Sequence, residues 1–149
     1  MICRFTAALA LALLAASPAA QAGFDYVTAG LAAILYDAPS IAAGKVAIVG
    51  AGYPLEVLVR TESWLKVRDH DGALLWIEAA AAQGKPAVMV TAASTYALEK
   101  PLPGAAARFR VTQGVSLEVL GPGGEPGWIK VRHPQGGDGY LNLRDIWGQ

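Results

Sequence analysis

Residues 52–58 read GYPLEVL, and residues 114–120, 62 positions later, read GVSLEVL. Residues 64–68 read WLKVR, and residues 128–132, 64 positions later, read WIKVR. Matches at a nearly constant offset indicate that a unit of about sixty residues was duplicated, and such a repeat determines the architecture of a chain. Function is then expected in a feature that both copies share, or in the groove between them.

Short runs of β-branched and aromatic residues, separated by turn formers, predict strands in both copies. They cover residues 46–49, 55–59, 64–68 and 74–77 in the first copy, and residues 87–91, 107–111, 117–120, 128–132 and 140–143 in the second. The Asp71-Gly72 pair predicts a hairpin with a type I′ turn. Strands at this spacing predict an all-β protein with two small barrels in tandem. We expect the barrels at residues 23–80 and 87–149. Residues 81–86 form a short linker, so the barrels should touch.

The first 22 residues have the pattern of a cleaved signal peptide. Arg4 supplies a positive start, residues 5–16 are apolar, Ser17-Pro18 interrupts the run, and residues 20–22 (AQA) form a small-x-small cleavage site. The apolar run is shorter than the about 20 residues that a transmembrane helix needs. We therefore expect a secreted, periplasmic protein with no membrane span after cleavage. An uncleaved N-terminal anchor is the alternative.

The composition argues against several functional classes. The single cysteine, Cys3, lies in the predicted signal peptide, so no disulfide, thiol nucleophile or cysteine metal site is expected in the mature chain. Twelve basic and twelve acidic residues, without a basic run, give no electrostatic footprint for nucleic acid. His70 and His133 lie in predicted turns at positions that the repeat does not equate. Asp69-His70-Asp71 is either a set of solvated turn residues or a cation site.

From these observations we predict a non-enzymatic protein with no catalytic residue, no metal site and no cofactor. No serine has the strained strand-to-helix context of a nucleophile elbow. A hydrolase with an unrecognised site is the alternative.

Alternation along each strand predicts which side chains are buried. Leu65 and Val67 point to one side of their strand, and Trp64, Lys66 and Arg68 to the other. The predicted cores are Leu55, Val57, Leu65, Val67 and Ile77 in the first barrel, and Leu117, Val119, Ile129, Val131 and Leu141 in the second. The same alternation places Val59 on the side of Leu55.

The opposite side of the third predicted strand gives the candidate binding residues. They are Trp64, Lys66 and Arg68 in the first copy, and Trp128, Lys130 and Arg132 in the second. An aromatic plate beside a cation suits acidic or amide-rich extended ligands. The alternative is that the tryptophans cap the cores and the cations form a solvated face.

In their order, these motifs resemble the bacterial SH3 domain. The first copy runs YDAPS (residues 36–40), GxxLxV, WxKV and GxxxWI, and the second runs EKP (residues 99–101), GxxLxV, WxKV and GYL. The second copy departs from the family pattern in Tyr140, where tryptophan is usual, and in Leu98, where the first copy has Tyr36. Leu75 stands where the family pattern has glycine before the closing tryptophan. The resemblance implies two SH3-like barrels that recognise peptidoglycan or a peptide in the cell envelope. A structural subunit that docks on another envelope protein through the face between the barrels is the alternative.

Overall fold

The computed structural model describes residues 24–149, and the predicted signal peptide, residues 1–22, lies outside the described residues. The first copy contains the strands β1 (Tyr26–Thr28), β2 (Ala33–Tyr36), β3 (Lys45–Val49), β4 (Pro54–Arg60), β5 (Trp64–Arg68) and β6 (Leu74–Glu78). The second contains β7 (Ala87–Val90), β8 (Ser94–Leu98), β9 (Ala107–Thr112), β10 (Ser116–Pro122), β11 (Trp128–Arg132), β12 (Asp138–Asn142) and β13 (Ile146–Trp147). Single 3₁₀ turns, Ala79–Ala81 and Leu143–Asp145, follow β6 and β12. The prediction of an all-β protein is confirmed. No helix within residues 24–149 is long and apolar enough to cross a membrane.

Each copy forms one antiparallel sheet, and the two sheets have the same strand order. The first runs β1-β4-β5-β6-β2-β3, and the second runs β13-β7-β10-β11-β12-β8-β9. Strands β7 to β12 therefore correspond to β1 to β6, and β13 is an additional strand that pairs with β7. Leu55 lies opposite Val27 in the first sheet, as Leu117 lies opposite Val88 in the second. The duplication predicted from the sequence thus extends to the register of the strands.

Four strands were not predicted from the sequence: β1, β2, β8 and β13. β1 has three residues and β13 has two, which is too short for a period to show. Both are fixed by long-range pairing, β1 with β4 and β13 with β7. Sequence periodicity carries no information about such partners.

The predicted cores are largely confirmed. Eight of the ten residues are buried, namely Leu55, Leu65, Val67, Ile77, Leu117, Ile129, Val131 and Leu141. Val57 and Val119 are half-buried and pack against the two cores. The alternation of β5 and β11 is therefore as predicted, with the aliphatic side chains inside.

Val59 is the exception, and a β-bulge is the reason. Val57 lies opposite Val67, but the next paired residue of β4 is Val59, opposite Lys66. The extra residue, Leu58, reverses the alternation, and Val59 is 46% exposed. The second copy has a bulge at the equivalent place in β10, between Val119 and Gly121.

The predicted hairpin between β5 and β6 is present, but the prediction of a type I′ turn is wrong. Among the described residues no residue other than glycine has a positive φ, so Asp71 cannot occupy a type I′ position, while Gly72 has φ 89°. Asp69 N donates to Ala73 O, and Gly72 N donates to Asp69 O. This is a three-residue loop that ends in a left-handed glycine. The Asp69 carboxylate favours it, because its Oδ1 accepts from the amides of Asp71 and Ala73.

The two barrels are in contact, as the short linker predicts. The Trp147 ring meets the Tyr26 ring edge-on, with centroids 5.3 Å apart, and lies 6.4 Å from the His70 ring. Gly148 is close to Pro54, since a Cβ on it would lie 2.6 Å from Pro54 Cβ. Gly84, which lies in the predicted linker, donates its backbone N–H to Thr28 O of the first barrel.

Candidate binding faces

Trp64, Lys66 and Arg68 lie side by side on the outer face of β5. All three are half-buried and alternate with the buried Leu65 and Val67. Their partners on β6 are Glu78, Trp76 and Leu74, respectively. The structure therefore places these three residues on one surface, and their role in binding stays a prediction. We call this surface the first face.

Trp64 rests on a second aromatic ring. Its ring meets Tyr36 edge-on, with centroids 5.3 Å apart and an interplanar angle of 87°. Tyr36 is buried, and it lies opposite Trp76 in the sheet. Edge-to-face aromatic pairs of this geometry are favourable. Trp64 is thus supported from beneath by a buried tyrosine and keeps part of its surface in solvent.

Lys66 is held beside the ring of Trp76. Its Nζ lies 6.0 Å from the ring centroid, at the outer limit of a cation–π contact. Trp76 was not among the predicted site residues. It alternates with the buried Leu75 and Ile77, so the parity of the closing strand was the signal that could have identified it.

Arg68 has a protein partner already. Its Nε and Nη2 donate to the two carboxylate oxygens of Glu56 at 2.8 and 2.7 Å. Glu56 is only 5% exposed, and its neighbour Tyr26 has a raised pKa, first because of burial and then because of the Glu56 charge. A paired arginine of this kind positions β4 against β5, so Lys66 is the cation of the first face that remains for a ligand.

The second copy repeats this arrangement with different partners. Lys130 lies opposite Tyr140, and its Nζ is 5.9 Å from the centroid of that ring. Arg132 donates to both carboxylate oxygens of Asp138, at 2.7 and 3.1 Å. The hydrogen bond from Arg132 lowers the pKa of Asp138. Trp128, Lys130 and Arg132, with these partners, form the second face.

Trp128 and Trp64 have different surroundings. Trp128 lines a largely apolar groove of about 670 Å³ between the barrels, with Phe24, Tyr26 and Pro122 among its other walls. Trp64 is not part of that groove, and it packs against Tyr36 instead. The two tryptophans therefore belong to two separate surfaces.

The turn residues near His70 have structural partners. The Tyr53 hydroxyl and His70 Nδ1 are hydrogen-bonded at 2.6 Å, and Asp69 caps its own loop. Burial, followed by the charge of Asp69, raises the pKa of Tyr53. Across residues 24–149, no three histidine, cysteine, aspartate or glutamate side chains are grouped to hold a metal ion.

The bacterial SH3 domain model matches the chain twice, at residues 30–84 and 95–148. The chain belongs to the bacterial SH3 domain family. The prediction of two SH3-like barrels in tandem is confirmed. Domains of this family are binding modules, often of proteins associated with the cell wall.

Two solved structures are similar to the chain at low identity. The structure of NlpC2 from Trichomonas vaginalis is 11% identical, with a TM-score of 0.36 over 83% of this chain and 47% of the other. The structure of NlpC1 from the same organism is 13% identical, with a TM-score of 0.35 over 95% of this chain and 51% of the other. The chain thus spans about half the length of each. A comparison with curated proteins found no match.

Proposed function

We propose that the first and second faces bind an extended ligand of the cell envelope, a peptidoglycan stem or a peptide, without catalysing its turnover. One observation carries this proposal. In both copies a lysine is held beside an aromatic ring, next to a half-buried tryptophan on the same outward surface.

The chemistry of the two faces suits such a ligand. A partly exposed indole ring offers a flat apolar surface to a peptide backbone. The neighbouring ammonium group can donate to a carboxylate or to an amide carbonyl oxygen of the ligand, and charge-assisted hydrogen bonds are the stronger ones. The ring beside each lysine lies within reach of its ammonium group, so the aromatic and cationic groups are presented together.

Two faces on barrels that touch can act on one ligand. Linked sites raise the overall affinity when the geometry allows both to be occupied together. The contact of Trp147 with Tyr26 holds the barrels in a defined arrangement. A ligand that repeats, such as a cell-wall polymer, would gain most from this arrangement.

Export is part of the proposal. We propose that residues 1–22 are removed and that the mature protein acts in the periplasm, with barrels at residues 23–80 and 87–149 and a linker at residues 81–86. The intact mass of the exported protein measures the cleavage site. A mass that retains Met1 to Ala22 would contradict this part of the proposal.

Binding to purified peptidoglycan tests the function. We expect Trp64→Ala and Trp128→Ala each to weaken binding by about three- to tenfold, as expected when one aromatic contact is lost. The double variant should lose more than either single change. Tyr96→Ala is the matched control, because Tyr96 is a 51% exposed aromatic residue outside both faces. Unchanged far-UV circular dichroism must accompany the loss. Wild-type binding in both single variants would contradict the proposal.

A second candidate function is docking on another envelope protein. The apolar groove between the barrels favours it, because Phe24 at its wall is 69% exposed. This function would be favoured if the protein does not bind peptidoglycan but captures an envelope protein, and if the Phe24→Ser variant no longer captures it. Turnover assays on cell-wall fragments test the hydrolase alternative.

A further inference from the structure

The second face contains a polar pocket of about 550 Å³. We call it the β12 pocket, and its walls are Glu99, Arg108, Lys130, Arg132, Gly137, Asp138, Gly139 and Tyr140. Three of these residues are cations and two are carboxylates. The pocket therefore has one positive charge in excess before any ligand binds.

The two remaining cations of the β12 pocket lack a close acidic partner. Arg132 is engaged by Asp138 through two hydrogen bonds. Within the described part of the chain, neither Arg108 nor Lys130 forms an ion pair within 4.0 Å. Their charges nevertheless reach into the pocket, because Lys130 and Arg108 both contribute to the lowered pKa of Asp138, after the larger effect of Arg132.

The first copy lacks two of these charged residues at the equivalent positions. Ala47 lies opposite Leu35 in the first sheet, and Phe109 lies opposite Ala97 in the second, so Phe109 is the counterpart of Ala47. Arg108, the residue before Phe109, is therefore the counterpart of Val46. Leu74 faces Arg68 as Asp138 faces Arg132. Val46 and Leu74 are exposed apolar residues, at 55% and 53%. Arg108 and Asp138 thus have no charged counterparts in the first copy, and the repeat itself does not require them.

We propose that the β12 pocket binds a carboxylate group of the ligand, with Lys130 and Arg108 as the donors. This inference rests on the proposed function, and it assigns the acidic part of the ligand to the second barrel. The guanidinium of Arg108 can hold a carboxylate through two parallel hydrogen bonds, and the ammonium of Lys130 acts as a point charge. Asp138 holds Arg132 through two hydrogen bonds, and the two carboxylates of the lining, Asp138 and Glu99, repel a ligand carboxylate that approaches them.

The experiment compares two preparations of peptidoglycan, one native and one with its carboxylates converted to amides. The protein is the mature chain, residues 23–149. We expect wild-type binding to the amidated material to be about fivefold weaker, which is the effect of losing one exposed charge-assisted contact. Arg108→Gln and Lys130→Gln should each weaken binding to native peptidoglycan by a similar factor. Neither change should weaken binding to the amidated material further.

Two control variants separate pocket chemistry from net charge. Arg110→Gln removes the same charge from the same strand, but Arg110 does not line the β12 pocket, so its binding should equal that of the wild type. Lys66→Gln removes the equivalent lysine of the first face, and its effect should be the same on both preparations. Circular dichroism verifies that each variant is folded.

The outcomes distinguish this inference from the proposed function. If the wild type binds neither preparation, both are overturned. If it binds both equally, the proposed function stands and carboxylate recognition is overturned, which would assign the affinity to other groups such as hydroxyls and amides. Equal losses in Arg108→Gln and Arg110→Gln would also overturn the inference, since a general charge effect would then explain the binding.

Discussion

The two barrels differ most around their equivalent tryptophans. In the first, Trp64 rests on the buried ring of Tyr36; in the second, Leu98 takes the place of Tyr36, and Trp128 lines the groove between the barrels. Strand order and register are the same in both. The comparison shows that the duplicated unit kept the residues that form the barrel, while the surroundings of a shared side chain changed.

The cores also differ in the side chains that pack at equivalent positions. Leu75 and Ala47 pack in the first core, where the second has Gly139 and Phe109 at the equivalent positions. A Cβ on Gly139 would lie 3.3 Å from the Phe109 ring and 2.8 Å from Ala97 Cβ. Ala97 on β8 and the ring of Phe109 on β9 therefore both favour glycine at this position of β12.

The ends of the two copies explain how the barrels are joined. After the 3₁₀ turn the first copy continues with Ala82-Gln83-Gly84, and the second, 64 positions later, with Ile146-Trp147-Gly148. Gly84 packs against the backbone of its own barrel, whereas Gly148 also meets Pro54 of the other. Trp147, which replaces Gln83, contacts two rings of the first barrel. One changed side chain thus supplies much of the aromatic contact between the barrels.

The largest effect is expected where the two barrels are alike. Val67 and Val131 are both fully buried, so Val67→Ala and Val131→Ala should each lower the free energy of unfolding by about 1–3 kcal/mol, through lost burial and a cavity. Urea denaturation measures the difference. Val46→Ala, at an exposed position, is the control and should change stability little. Clearly unequal losses at the two valines would mean that the cores are not equivalent.

The next effect is expected at the contact between the barrels. Trp147→Gln introduces the residue that the first copy has at this position and removes the edge contact with Tyr26. We expect the free energy of unfolding to fall by about 1–2 kcal/mol, because the aromatic contact and part of the burial of the ring are lost. We expect the two barrels to unfold in separate transitions in this variant, because little aromatic contact then couples them. Denaturation followed by tryptophan fluorescence and by circular dichroism measures this. Trp147→Phe retains a ring and should stay close to the wild type. A single, unshifted transition in Trp147→Gln would show that Trp147 does not couple the barrels.

The sequence was sufficient for the repeat, the fold class and the inner and outer sides of β5 and β11, since these follow from spacing and alternation. It was not sufficient to predict that Val59 is exposed, because a β-bulge reverses the alternation and no residue in the sequence marks that bulge. The parity of the closing strand indicates that Trp76 points outward, but no local pattern places it beside Lys66 or places Arg108 in one pocket with Lys130. Those neighbours depend on which strands pair, and that is decided by long-range contacts.

The smallest effect concerns the two equivalent arginines. Arg68 pairs across β4 with the buried Glu56, but Arg132 pairs across β12 with Asp138, and Glu118, the counterpart of Glu56, lies 3.2 Å from Lys85. Because its pKa is lowered in the folded chain, Asp138 contributes stability that is present above its ordinary pKa. This contribution is lost as the pH falls through the lowered value. It should be small, since both partners are exposed to solvent.

The pKa of Asp138 itself is the more sensitive readout. In Arg132→Gln it should rise toward the ordinary value of an aspartate, because the hydrogen bonds from the guanidinium are its main cause. The rise should be incomplete, since the charges of Lys130 and Arg108 still favour the ionised carboxylate, and it should be larger when Arg108→Gln is added. NMR titration of the side-chain carboxyl carbon follows this directly. Arg68→Gln, the same change in the other copy, should leave the titration of Asp138 unaltered. An unchanged pKa in Arg132→Gln would contradict the assigned pairing and leave Asp138 free to compete with a ligand for Lys130 and Arg108.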